Sequence, residues 1–176
     1  MKIGKREERF VKSLLKAIGE DPDREGLRET PKRVVKAMLE MTGGYKDDPY
    51  QYVKLFTSNS SGLVSIDNIE FSSLCEHHLL PFSGFVNISY IPSGKVLGLS
   101  KFARIVNVFA RRLQLQEQMT QQIFDFLKET LRPKYLKVYS EATHGCMGCR
   151  GVNQKHCNTK VVIESINGKR YDYLCR

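Results

Sequence analysis

A thiol and an imidazole stand three residues apart at Cys75 and His78, inside the run Ser73-Leu74-Cys75-Glu76-His77-His78-Leu79-Leu80-Pro81-Phe82. One turn of chain presents both groups to a single cation at that spacing, and Pro81 ends the local structure just beyond. Farther along, Thr143-His144-Gly145-Cys146 offers an imidazole and a thiol two residues apart, on one face if the strand carrying Ser140 and Ala142 continues. Cys75, His78 and Cys146 together make a three-ligand set, and zinc held by three protein ligands keeps a fourth position for water. Zinc lowers the pKa of that water toward ~7, so that a hydroxide nucleophile is available at neutral pH. His77 and His144 are then left free for proton transfer. As a fourth ligand, Cys149 would close the shell and leave a structural site. Alternation puts His144, Cys146 and Arg150 on one face and Cys149 on the other, so Cys149 is expected to stay off the metal. Gly145 and Gly148 leave open a turn that would bring both sulfurs to it.

The setting of these residues favours metal over disulfide chemistry. Five cysteines make an odd count, and all four histidines, His77, His78, His144 and His156, lie within a few residues of a cysteine. That usage fits a reducing, cytoplasmic compartment better than a secreted disulfide framework. The formal charge of +9 suits a polyanion, whether nucleic acid, membrane surface or nucleotide polyphosphate. Lys and Arg are scattered rather than gathered in a tail. With no finger spacing and no aromatic RNA-binding motif, nucleic acid is not the expected ligand. A closed set of Cys75, His78, Cys146 and Cys149 in a polyphosphate- or nucleic-acid-binding protein is the rival reading of the same residues. No apolar run approaches the ~20 residues of a membrane span, and MKIGKREERF has no apolar stretch behind its charges, so a soluble, unprocessed chain with no membrane partner is expected.

At 176 residues and 41% hydrophobic composition, the chain is expected to form one domain, residues 1–176. Residues 1–45 read as a helical arm and residues 63–176 as an α+β core. Phe10, Val11, Leu14, Leu15 and Ile18 keep helical spacing. Thr30-Pro31 predicts an N-cap and first helical residue for a second helix through Val34, Val35, Met38 and Leu39, ending at Gly43-Gly44. Tyr45 to Gly62 reads as a loop. From Val64 the period becomes two, through Ile66 and, after a polar interruption, Ile69 and Phe71. Pro92-Ser93-Gly94 predicts a hairpin over Phe85 to Leu99. Helices follow through Phe102 to Phe109 and Leu115 to Phe126. Strands return at Leu136 to Ala142 and Val161 to Ile166, and Asn167-Gly168 predicts a hairpin into Lys169 to Leu174. This order argues for antiparallel sheet with helices on one face.

At these residues the chain closely resembles GTP cyclohydrolase I. The similarity runs from Glu20-Asp21-Pro22-Asp23-Arg24-Glu25-Gly26-Leu27 and Thr30-Pro31-Lys32-Arg33-Val34 through the CEHHLLPF run and Tyr90-Ile91-Pro92. It continues through Gly98-Leu99-Ser100-Lys101, Arg104-Ile105-Val106 and Gln116-Glu117 to Ala142-Thr143-His144, Cys146 and Arg150-Gly151-Val152. After Val152 the family usually runs through Ser and Thr, whereas this chain carries His156 and Cys157.

The resemblance implies a tunnelling-fold α+β domain with an N-terminal helical extension, assembled as a ring of ten subunits with sites at subunit interfaces. It implies Zn2+ on Cys75, His78 and Cys146, with GTP as substrate and 7,8-dihydroneopterin triphosphate and formate as products. The reaction would be the first step toward pterins, folate or deazaguanines. Water adds to C8 of the purine, His144 protonates the imidazole nitrogen, His77 assists opening of the ribose and Ser100 assists the sugar rearrangement. Glu117 with Gln116 would hold guanine, since a carboxylate accepts two hydrogen bonds from its N1 and amino edge. Lys101, Arg104 and Arg150 would anchor the triphosphate. Nitrile-reducing queuosine enzymes share this fold but use a nucleophilic cysteine and no zinc, so metal content separates the two.

Overall fold

The computed structural model describes residues 4–171. The expected continuation of the last strand to Leu174, and Cys175, lie outside the described residues. The chain divides after Gly43 into two compact units.

The first unit holds α1 (Lys5–Ala17) and α2 (Thr30–Met41). Glu7 and Glu8 in the first turn of α1 and Lys16 in its last complement the helix dipole. Val11 is buried, while Phe10, Leu14 and Ile18 of the expected apolar stripe are 71%, 53% and 68% exposed. Asp23 ties the following segment to α1 through a 2.6 Å ion pair with Lys12. Thr30 is not the cap of α2 but its first residue, with Glu29 at the cap and Pro31 one place further in. The reason is local: Leu27 and Arg28 already turn onto the Arg24 carbonyl, and the Thr30 N–H donates to Leu27 O at 2.9 Å. The chain therefore enters the helix one residue earlier than the Thr-Pro signal implies.

The second unit runs through β1 (Leu55–Thr57), β2 (Val64–Cys75), β3 (Pro81–Ile91), β4 (Lys95–Leu97) and α3 (Leu99–Ala110). It continues with β5 (Leu113–Gln114), α4 (Gln116–Leu131), β6 (Tyr135–His144), α5 (Gly145–Gly148), β7 (Asn158–Ile166) and β8 (Lys169–Tyr171). Six strands form one sheet in the order β5-β2-β3-β6-β7-β8. All its pairings are antiparallel except β2 with β5. The polar interruption in β2 is a bulge between Ile66 and Ile69, where Asn68 takes φ 59° and donates its N–H to Asn87 Oδ1 at 2.6 Å. One face of the sheet is apolar. Val86, Ile88, Tyr90, Leu136, Val138 and Ala142 form one core with Phe102, Ile105 and Val106 of α3 and Met119, Ile123 and Leu127 of α4. The chain is thus α+β, with helices covering one side of a largely antiparallel sheet. Asn167 and Gly168, both at positive φ, close the β7–β8 hairpin as expected.

Two expectations are corrected. Phe85 to Leu99 is not a hairpin, because β3 has both edges occupied by β2 and β6. With no edge free on β3, β4 pairs instead with β1 in a separate two-stranded ribbon, Leu55 opposite Leu97 and Thr57 opposite Lys95. The segment Tyr45 to Gly62, read as loop, accordingly contains β1. It also contains a 3-10 turn at Pro49–Tyr52, opened by the Asp48 carboxylate accepting the Tyr50 N–H at 3.0 Å.

Candidate active site

Cys75 is the last residue of β2 and is buried. Its N–H donates to Leu80 O at 2.8 Å, and its carbonyl accepts the N–H groups of His78 and Leu79 at 3.4 and 2.8 Å. Residues 76–79 therefore wrap around one carbonyl, with Leu79 at φ 55°, before the chain re-enters the sheet at Pro81. This turn sets His78 Nδ1 3.8 Å from Cys75 Sγ. His77, on the same turn, is exposed, with its ring centroid 6.1 Å from that of His78 and its Nε2 3.8 Å from a Glu76 oxygen.

Cys146 arrives differently from the expected strand continuation. β6 stops at His144, and Gly145–Gly148 form a single helical turn closed by the Cys149 N–H donating to Gly145 O at 3.0 Å. A Cβ at position 145 would meet Pro81 O at 2.8 Å, so glycine is what lets this turn lie against the start of β3. The alternation of residues 144, 146, 148 and 150 on one face does not occur. The ligand atoms of Cys75, His78 and Cys146 nevertheless all lie within 4.8 Å of one another. Cys149 stands outside the cluster, exposed, with its thiol 2.7 Å from Gly145 O. The donor set fits a thiophilic cation with an open position: two sulfurs and one imidazole. Burial pushes the Cys146 thiol up, and the neighbouring Cys75 pushes it further, while the Arg150 guanidinium acts in the opposite sense. Two thiolates side by side call for a cation between them.

The pairing that carries the remaining residues here is the short parallel contact of β2 with β5, which sequence reasoning did not find. Cys75 pairs with Gln114, and the Glu76 N–H donates to Gln114 O at 3.2 Å. α4 begins two residues later, so Gln116 and Glu117 are delivered to the same end of the sheet. Gln116 is 2% exposed, and its amide is spent inside the protein on His144, Ser140 and Thr159. Glu117 is exposed on the first turn of α4. His144 lies opposite Phe82 in the β3–β6 register and stacks on it at 4.7 Å with only 4° between the planes. Burial lowers the His144 pKa from its ordinary value, and the Glu117 carboxylate partly offsets this.

Ser100, Lys101 and Arg104 sit on the opening turns of α3, which Gly98 caps. Ser100 is exposed, the Lys101 N–H donates to Gly98 O at 2.8 Å, and Arg104 lies over the Tyr52 ring at 5.8 Å. Among the described residues, no hydrogen bond or ion pair joins these three to the Cys75 cluster. His156 is exposed and Cys157 half-buried, and neither belongs to the cluster. A cavity of about 460 Å³ lies elsewhere, on the sheet between Glu70, Phe85 and Glu141. Phe82 and Thr159 are the residues at this site that the sequence did not single out. Both are ordinary strand residues by type, and only the register reveals them.

The GTP cyclohydrolase I family profile matches residues 7–171. The chain is 54% identical over 154 residues to the GTP cyclohydrolase 1 of Campylobacter curvus, covering 86% of this chain and 81% of that protein. It is 50% identical over 151 residues to that of Chlorobaculum tepidum, covering 85% and 67%, and 48% identical over 163 residues to that of Leptospira biflexa, covering 92% and 88%. Among solved structures it is similar to an archaeosine synthase QueF-Like in the apo form, with a TM-score of 0.51 and 25% identity, covering 64% of this chain and 99% of that one. That likeness extends the α+β description to the tunnelling fold.

Proposed function

Because this chain belongs to the GTP cyclohydrolase I family, we propose that it hydrolyses GTP, with zinc on Cys75, His78 and Cys146, to formate and 7,8-dihydroneopterin triphosphate. The observation that carries the reading is the convergence of those three ligand atoms within 4.8 Å, from segments far apart in the chain. Three protein ligands suit a catalytic rather than a closed zinc site, and zinc so held supplies Lewis acidity that makes hydroxide accessible near neutral pH.

The chain's own residues do the rest. His144, half-buried against Phe82 and two residues before Cys146, is the proton donor and acceptor for the purine. His77, exposed on the Cys75 turn, is the second imidazole and attends the ribose. Glu117, exposed at the start of α4, takes the N1 and amino edge of guanine, with the backbone at Gln116 beside it. Arg150, close enough to Cys146 to bear on its thiol, takes phosphate. Lys101 and Arg104 take phosphate and Ser100 assists the sugar rearrangement, and a second copy of the chain is what unites α3 with the cluster. A homo-oligomer, ten subunits in a ring with sites between them, is the assembly this reading requires. The product is a dihydropterin precursor for folate, pterin or deazaguanine synthesis. No helix among the described residues is long and apolar enough to cross a membrane; the reading itself places the enzyme in the cytoplasm.

Incubating purified protein with GTP, with and without a strong chelator, tests the proposal. Formate and a fluorescent pterin after oxidation are expected in the untreated sample, with loss on chelation and recovery on adding zinc. Full turnover in chelator with no zinc by elemental analysis would overturn the metal assignment, and no formate under any condition would overturn the activity.

A further inference from the structure

The hydrogen bonds around Gln116 have a direction that can be read from their ends. The Thr120 hydroxyl lies 2.7 Å from the Gln116 backbone carbonyl, which can only accept, so Thr120 spends its proton there. Ser140 Oγ lies 2.7 Å from Thr120 Oγ1 and must therefore be the donor in that contact, which leaves Ser140 Oγ as an acceptor. The Gln116 amide nitrogen faces that oxygen at 3.1 Å, together with the carbonyls of Ser140 at 3.3 Å and Thr159 at 3.2 Å. Turning the amide over would set its oxygen against two carbonyl oxygens, so the NH2 faces the strands and Oε1 faces the other way. There Oε1 meets the Thr159 hydroxyl, in a contact closer than the 3.2 Å that separates this hydroxyl from Ala142 O. It also meets His144 Nε2 at 2.9 Å. An oxygen with no proton of its own can only accept, so the nitrogen facing it carries the hydrogen.

We infer that Gln116 is a positioning residue that holds neutral His144 as the Nε2–H tautomer, which leaves Nδ1 as the ring nitrogen without a proton. The inference rests on the proton-transfer role proposed for His144 and adds which ring nitrogen carries the proton of the neutral imidazole. Phe82 fixes the ring plane by stacking, and the Gln116 oxygen fixes the rotation of the ring within that plane. The Gln116 side chain is thereby removed from guanine recognition. It is 2% exposed, and its amide hydrogens and its oxygen already have partners. Holding an imidazole in one tautomer is worth much in catalysis, since the wrong tautomer is nearly inert in the same position.

Gln116→Met tests this with little change of size, because the acceptor facing His144 is lost while a side chain of similar length fills the site. Full-length, zinc-loaded protein labelled with 15N in histidine alone has four residues to resolve by solid-state NMR, and His144→Ala identifies the His144 signals by their disappearance. The parent should show a protonated Nε2 and a bare Nδ1 at His144. In Gln116→Met the two tautomers should mix, with kcat lower by about tenfold, the lower end of the loss seen when a histidine's outer hydrogen-bond partner is removed, and KM for GTP unchanged. Thr159→Val, which keeps the carbonyls that orient the amide, should keep the parent tautomer. A parent with the proton on Nδ1, or a Gln116→Met spectrum identical to the parent, overturns the inference. So does a raised KM at unchanged kcat, which would return Gln116 to the substrate. If the parent releases no formate from GTP, the proposed activity falls while the nitrogen spectrum still decides the tautomer.

Discussion

At the scale of single residues, the proposed reading divides Cys75, His78 and His144 between holding a metal and moving a proton, and substitutions should separate the two. His78→Ala removes one of three ligands and should lose both bound zinc and turnover. His144→Ala leaves the ligand set whole, so zinc content should stay at one per chain while kcat falls by about 10²–10⁴-fold, the usual range for a general acid or base. Cys149→Ser should match the parent in both, since this thiol is already occupied by Gly145 O. Elemental analysis beside a formate assay reads all three; zinc lost from His144→Ala and kept in His78→Ala would reverse the roles. These residue types were legible in the sequence because thiols and imidazoles at short spacing have few other uses. The geometry behind them was less so. Cys146 was placed on a strand by alternation, but Gly145 and Gly148 let a helical turn form, and the sulfur reaches the cluster from there.

At the scale of elements, local signals were reliable where the chain pairs with its immediate neighbour and weak where it does not. The β7–β8 hairpin was legible from Asn167-Gly168, and α3 and α4 from their apolar stripes. The Pro92-Ser93-Gly94 turn misled because strand partnership is decided by which edges are free, a property of the whole sheet. β5 is two residues long and carries no periodic signal, yet it brings Gln116 to the Cys75 end of β2. The β6–β7 ladder also has an electrostatic consequence. Glu141, opposite Lys160, accepts a hydrogen bond from the Tyr139 hydroxyl, which holds its carboxyl below the usual range with help from Lys160 and Asn158, and the Tyr139 phenol is pushed up to about 12. A carboxyl depressed on folding contributes stability above its unfolded pKa, roughly 4, and loses it as the pH falls through the lower folded value. The melting-temperature advantage of the parent over Glu141→Gln should therefore be constant above about pH 5 and shrink in acid. An advantage that persists or grows in acid would show that this row does not stabilise the sheet through its charge.

At the scale of the whole molecule, the described surface looks incomplete for a lone chain. Phe10, Leu14 and Ile18 are exposed along α1, and Leu63, Leu99 and Val152 are 61%, 67% and 67% exposed in the second unit. Exposed large apolar groups of this number suit burial between copies, which is where the proposed oligomer would put them. Light scattering should find a mass many times the 20.2 kDa of one chain. Activity per chain should fall on dilution below the dissociation constant of the assembly, whereas a fully active monomer would mean that one chain supplies Ser100, Lys101 and Arg104 to its own cluster. The turn that carries Cys146 bears on how the chain reaches this state. In an unfolded chain Cys146 and Cys149 are three residues apart, while Cys75 is a long loop away and joins only after β3 has paired with both β2 and β6. Loop closure makes the short chelates, Cys146 with Cys149 and Cys75 with His78, the first ones available. Zinc present from the start of refolding therefore meets both pairs before the native site exists, and some of it is held by Cys146 and Cys149. The ion must then be released or exchanged as the sheet closes, so refolding should be faster when zinc is added last.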